Sequence, residues 1–144
     1  MMRVAAMMLA AMALAACPPA DDSGGAVPAP TPDDVSLRID AAQNGQTVQV
    51  AVNQRFAVEL VGVPTAGYVW EPVQVPDFLT RAGEATGNTS AEQGEPGFTG
   101  GNHWEVLMFA ATTPGTGELV LEQRRAWETD EPASDTFRIT IVAQ

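Results

Sequence analysis

One cysteine, one histidine and no lysine occur among the 144 residues. A single thiol excludes an intramolecular disulfide, and one imidazole beside it excludes the usual zinc sites, which need roughly three or four thiolate or imidazole ligands. Positive charge is scarce: seven Arg stand against 18 acids, a net charge of −11 at pH 7. A field of that sign repels phosphate backbones and argues against nucleic acid as a partner. No phosphate-cradling glycine loop can end in Lys, and no Gly-x-Ser-x-Gly elbow is present. Aromatics make up only 6%, but 45% of residues are hydrophobic, enough for one domain to bury a core. No stretch combines an apolar helical face with caps at both ends, which predicts little or no helix.

The chain begins with what reads as an address. Arg3 precedes an apolar run, Val4 to Ala16, that closes on Leu14-Ala15-Ala16-Cys17. A positive start, a short apolar stretch and small residues at its end mark a secretory signal, and the run falls short of the ~20 apolar residues of a membrane span. The ending resembles the bacterial lipobox. That resemblance implies a signal peptide over 1–16, a lipid on Cys17 and anchorage in the cell envelope, outer membrane or periplasm-facing membrane, with membrane contact through the lipid only. The alternative is an ordinary secretory leader with Cys17 incidental. Residues 18–34 hold five Pro, four Asp and one large aliphatic. They read, with Cys17, as a disordered tether over 17–34, spanning about 20–25 Å as a flexible coil.

From Val35 the apolar residues recur with period two, the mark of half-buried strands. Leu37-Ile39, Val48-Val50-Val52, Phe56-Val58-Leu60, Val69 onward, Trp104-Val106-Met108, Leu119-Leu121 and Phe137-Ile139-Ile141 carry the pattern. Turn chemistry separates them, including Asn44-Gly45 and Thr113-Pro114-Gly115-Thr116-Gly117. The reading is all-β: an immunoglobulin-like antiparallel sandwich of about seven to eight strands over 35–144. Residues 83–97 carry nothing apolar larger than Ala and read as a long loop. Asn88-Thr89-Ser90 fits a glycosylation sequon by chance of polar composition.

Catalytic chemistry is not apparent. His103, the only imidazole, stands at a strand start beside Gly100-Gly101-Asn102 and reads as an exposed polar cap rather than a general base. The acids are scattered or in solvated runs such as Glu128-Thr129-Asp130-Glu131. No nucleophile with its base, metal or cofactor is implied, so the chain reads as a binding protein rather than an enzyme.

Three segments join turn residues to aromatics or Arg: Val63-Pro64-Thr65-Ala66-Gly67-Tyr68-Val69-Trp70, Gly97-Phe98-Thr99-Gly100-Gly101-Asn102-His103-Trp104 and Arg125-Ala126-Trp127-Glu128. In order and spacing they resemble the chagasin family of cysteine-peptidase inhibitors, whose loops read Asn-Pro-Thr-Thr-Gly-Tyr, Gly-x-Gly-Gly and Arg-Pro-Trp at one end of an immunoglobulin-like sandwich. Here Val63, Ala66 and Ala126 stand in place of the family's Asn, second Thr and Pro. The resemblance implies a monomer that reversibly plugs the cleft of a papain-like cysteine peptidase. Pro64, Thr65, Ala66 and Gly67 would face the catalytic cysteine, Phe98, Thr99, Gly100, Gly101, Arg125, Ala126 and Trp127 would grip the flanks, and Tyr68 completes the peptidase-binding set. Phe98 either fills a substrate pocket or folds back on the rim. Trp70 is expected in the core, Tyr68 and Trp104 as residues entering strands, and Trp127 exposed. The rival reading is a tethered adhesion or assembly module that binds another envelope or surface protein through a sheet face or edge.

Overall fold

The computed structural model describes residues 25–144, so the leader, Cys17 and the first part of the tether lie outside the described residues. Eight strands form two four-stranded sheets, in the orders β1-β3-β6-β5 and β2-β8-β7-β4. The strands are β1 (Leu37–Asp40), β2 (Thr47–Val50), β3 (Arg55–Gly62), β4 (Tyr68–Gln74), β5 (Leu79–Asn88), β6 (His103–Ala111), β7 (Gly115–Arg125) and β8 (Asp135–Ala143). Among the described residues the only helical pieces are three short 3-10 turns. β1 runs parallel to β3 and β2 parallel to β8, and all other pairings are antiparallel. The all-β sandwich expected from the period-two pattern is the fold observed.

Between the sheets lie the inward faces that alternation requires: Phe56, Val58 and Leu60 from β3, Leu107 and Phe109 from β6, Leu119 and Leu121 from β7, and Phe137, Ile139 and Ile141 from β8. The rings of Phe56 and Phe109 stack with centroids 5.9 Å apart. On β8 the opposite face carries exposed Arg138, as an antiparallel strand with one wet side should.

Three sequence readings need correction. Trp104, Val106 and Met108 do not make the inter-sheet face of β6. They belong to a second apolar cluster on the outer face of their sheet, with Ala29, Val35 and Ala57. β6 is therefore buried on both sides, and a run apolar at both parities is what such a central strand needs. What covers that outer face is the supposed tether: within residues 25–34, Ala29 and Thr31 are buried. Ala29 and the neighbouring Val35 fill the outer cluster, so a Pro-rich segment with few large side chains is ordered by the sheet it crosses. The long loop is also shorter than 83–97, because 83–88 continue β5 as an edge strand. Only Leu79 of β5 is fully buried; its other contacts use small residues, and a register shift between Arg81 and Gly83 further breaks the alternation.

Strand direction places the loops. β3, β5 and β7 end, and β4, β6 and β8 begin, at one end of the sandwich, where Gly62 and Asn88 both pair with His103 and Tyr68 pairs with Arg125.

Candidate functional site

The first loop is a tight unit. Pro64–Ala66 form a 3-10 turn with Pro in its first turn, where its fixed φ is already suitable. Gly67 ends it at φ +84°, a left-handed conformation that favours glycine. Val63 and Tyr68 exchange backbone hydrogen bonds of 3.0 and 3.1 Å across the stem. Pro64, Thr65 and Ala66 are exposed at the tip.

Arg125 ties the third loop to the first. Its Nε donates to the Ala66 carbonyl at 2.8 Å, Nη1 donates to Glu128 Oε1 at 2.9 Å, and the guanidinium lies 4.3 Å from the centre of the Tyr68 ring. The bond to Glu128 stabilises the charged guanidinium and raises its pKa above the usual value. Trp127 is 67% exposed, yet its ring lies over Gly67 so closely that a Cβ there would overlap Cη2. Backbone groups hold the loops at two of the positions that differ from the family: Ala66 is held through its carbonyl, and the turn at Ala126 is closed by a Glu128 N–H to Arg125 carbonyl bond of 3.0 Å.

The middle loop is organised by Gln93, which the sequence reading passed over. Its Oε1 accepts from the Thr89 and Ser90 N–H groups at 2.6 and 3.0 Å, while Nε2 donates to the Asn102 carbonyl at 2.7 Å. Ser90-x-x-Gln93 before a short helical turn is a capping-box spacing, which was the available signal. Gly97, Gly100 and Gly101 all have positive φ. Phe98 is 45% exposed, and one edge of its ring lies against Gly101, so it both folds onto its loop and shows apolar surface. Thr99 is exposed, and Gly100 lies against the first loop, a Cβ there falling 3.9 Å from Thr65 Oγ1. His103 opens β6, its Nδ1 3.2 Å from the Gly101 carbonyl oxygen.

Beneath the first loop lies a second set of residues absent from the sequence reading. Glu105, 8% exposed on β6, reaches between the sheets so that Oε2 accepts from the Trp70 N–H at 2.7 Å. Its Oε1 has no hydrogen-bond partner among the described residues and sits where a Cβ on Gly62 would lie. Burial pushes this carboxyl above its usual range, against the opposing pull of the Trp70 N–H and His103. Trp70, buried as expected, donates from Nε1 to the Val61 carbonyl at 2.9 Å, and Gln123 Nε2 donates to the same carbonyl at 3.3 Å. One charge in the run Trp104-Glu105-Val106-Leu107 was the visible sign that β6 carries a polar duty.

The twelve residues nominated for peptidase binding therefore lie at one end: Pro64 to Tyr68 in the first loop, Phe98 to Gly101 in the middle, and Arg125, Ala126 and Trp127 in the third. Arg125 and Trp127 bind the third loop to the first, and Gly100 abuts Thr65. Among the described residues, no group of three His, Cys, Asp or Glu could hold a metal ion, and no helix is long and apolar enough to cross a membrane.

Comparison with known proteins adds the following. Residues 49–141 match the family described as Chagasin family peptidase inhibitor I42. Among solved structures, the cysteine protease inhibitor EhICP2 from Entamoeba histolytica is similar with a TM-score of 0.65 and 17% identity, over 75% of this chain and 95% of that one. The solution structure of amebosin is similar with a TM-score of 0.58 and 25% identity, over 75% of this chain and 97% of that one. No curated protein sequence matches.

Proposed function

The chain belongs to the chagasin family of peptidase inhibitors, and from that premise we propose that it is a reversible, non-covalent, competitive inhibitor of papain-like cysteine peptidases. Loops 63–68, 97–102 and 125–128 enter the active-site cleft together. The observation that carries this reading is their clustering at one end, with Arg125 bonded to the Ala66 carbonyl and Trp127 seated on Gly67. A target then meets a surface whose shape already exists, so little conformational entropy is lost on docking.

The chemistry follows from the loops. The Pro64–Ala66 turn is curled rather than extended, so it occupies the space before a catalytic thiolate without offering a carbonyl in the geometry of a substrate. Positive-φ glycines in the middle loop let main chain approach a cleft that takes extended backbone. Trp127 and Phe98 supply exposed apolar area, and large aromatic anchors of this kind each contribute about 2 kcal/mol or more at interfaces. The Leu14-Ala15-Ala16-Cys17 ending supports export and a lipid on Cys17, which would hold the inhibitor at the cell envelope as a monomer on a short lead.

The test is a titration of active-site-quantified papain with the chain from residue 18 onward, beside Trp127→Ala and Thr65→Trp. Competitive, reversible inhibition weakened tenfold or more by either change, about 1.4 kcal/mol, is expected. No inhibition of papain or of several relatives would overturn the reading and favour a module that binds another envelope protein through a sheet face or edge.

A further inference from the structure

The family match begins at residue 49, yet residues 25–35 are built into the fold ahead of it. This segment crosses the outer face of the β1-β3-β6-β5 sheet from the loop end to the far end. At the far end Val35 is buried and Asp34 pairs with Arg55 at the start of β3. Midway, Thr31 donates from its hydroxyl to Glu59, and Pro30 rests on Gly87 of β5.

At the loop end the contacts change in kind. Apolar burial gives way to backbone bonds with the residues that open the middle loop. The Ala91 N–H donates to the Gly25 carbonyl at 2.6 Å, and the Val27 N–H donates to the Thr89 carbonyl at 3.0 Å. Ala26 and Ser90 form an antiparallel bridge. The indole Nε1 of Trp104 donates to the Val27 carbonyl at 2.7 Å, so both backbone groups of Val27 are engaged. Gly25 has φ +58° and lies against the Glu92 carboxylate, where a Cβ would be 2.9 Å from Oε1. Thr89 to Ala91 are thus gripped from both sides. The strap holds their backbone from without, and Gln93 bonds the Thr89 and Ser90 N–H groups and spans to Asn102.

We propose that residues 25–35 are part of the inhibitory machinery: a strap that fixes the middle loop in its docking shape, with Gly25 and Val27 as positioning residues. The proposal rests on the inhibitory reading above. A glycine-rich loop depends on how its ends are anchored, since Gly has the most backbone freedom to lose, and Gln93 ties the two ends of this one together. Gly97, Gly100 and Gly101 leave the loop's shape to its two ends, and the strap fixes the one that Thr89 to Ala91 provide. A loop released from the strap still docks, but must be ordered by the peptidase at a cost in affinity.

The test keeps the full chain and removes single bonds. Val27→Pro deletes the N–H given to Thr89, Trp104→Phe deletes the indole donor to Val27, and Val73→Ala, at an exposed position of β4 in the other sheet, is the control. Two quantities are read: the inhibition constant against papain, and amide hydrogen exchange along the chain. Val27→Pro and Trp104→Phe are expected to speed exchange over 89–102, leave 63–68 and 125–134 unchanged, and raise the inhibition constant about tenfold, mainly through faster release. Val73→Ala should leave both readouts at those of the parent. Unchanged exchange over 89–102, or exchange rising evenly over both sheets, overturns the strap as a positioning element, and so does faster local exchange at constant inhibition. If the parent itself does not inhibit, the inhibitory reading falls, and exchange over 89–102 alone still decides whether the strap holds the loop.

Discussion

The space between the sheets and the loop end are built on different physics. Between the sheets, Phe56, Phe109, Leu119, Leu121, Ile139 and Ile141 are each within 1% of complete burial, and apolar area removed from water does the stabilising. At the loop end, side chains hold backbone: Arg125 the Ala66 carbonyl, Gln93 the Asn102 carbonyl, Glu105 the Trp70 N–H, and Trp70 the Val61 carbonyl. Burial is non-directional and sets how stable the domain is. Hydrogen bonds to particular carbonyls are directional and set where the loops stand. Damage to the two regions should therefore be separable, one in melting temperature and the other in affinity.

The largest effect belongs between the sheets. Phe109 has no exposed surface and stacks on Phe56. Phe109→Ala is expected to cost about 3–5 kcal/mol, a large part of the ~5–15 kcal/mol of an ordinary domain. Denaturant unfolding should register that loss, while the fraction that stays folded should inhibit with an unchanged constant. An inhibition constant that rises along with instability would erase the distinction between the two regions.

At the loop end, Gly67→Ala reverses the pattern. The substitution places a Cβ at φ +84° and into the ring of Trp127. The left-handed conformation alone costs roughly 1–2 kcal/mol for a residue with a side chain. The fold survives, but Trp127 must move off its seat, so inhibition should weaken about tenfold or more, with a change in tryptophan emission. Emission unchanged from the parent would mean that the seat on Gly67 does not position the indole.

The same division explains what the sequence disclosed. Alternation along Phe137-Ile139-Ile141 and Phe56-Val58-Leu60 is a direct print of burial, so the sandwich and its strands could be read from residues alone. The three loops were legible because turn formation depends on residue type: Pro64 suits the first turn of its 3-10 piece, and Gly67, Gly100 and Gly101 take positive φ, which favours glycine. Supports acting across the chain were not legible. Gln93, Glu105 and Gln123 act on partners 9, 35 and 62 residues away, and although a capping-box spacing marks Gln93 and a lone charge marks Glu105, nothing local names the partner. The strap was hidden for another reason: its own side chains are small, and the apolar surface that orders it belongs to Val106, Met108 and Trp104 of β6. Composition reports what a segment can bury by itself, not what a neighbouring sheet offers it.

The smallest effect sharpens the comparison most, because Glu105 belongs to both regions: a buried group between the sheets that serves the loop above it. Burial raises its pKa from the ordinary 4.5, so the folded state holds the proton more tightly than the unfolded one. The cost of ionising it is absent below the unfolded value, grows as pH rises through the raised folded value, and is fully present above that. Asp34 and Glu92 shift the other way, Asp34 through its bond to Arg55 and Glu92 through its own backbone N–H, so the stability they contribute is lost only as pH falls below the usual carboxylate range. Acidification from neutral pH thus engages Glu105 before either of them. Glu105→Gln keeps an acceptor for the Trp70 N–H and removes the charge. The variant should melt higher than the parent at pH 7, with the difference shrinking as pH falls through the raised value toward the ordinary 4.5 and the parent's carboxyl gains its proton. A difference that stays constant down to pH 4.5 would mean that the folded state holds this proton no more tightly than the unfolded one and that solvent reaches the stem of the first loop.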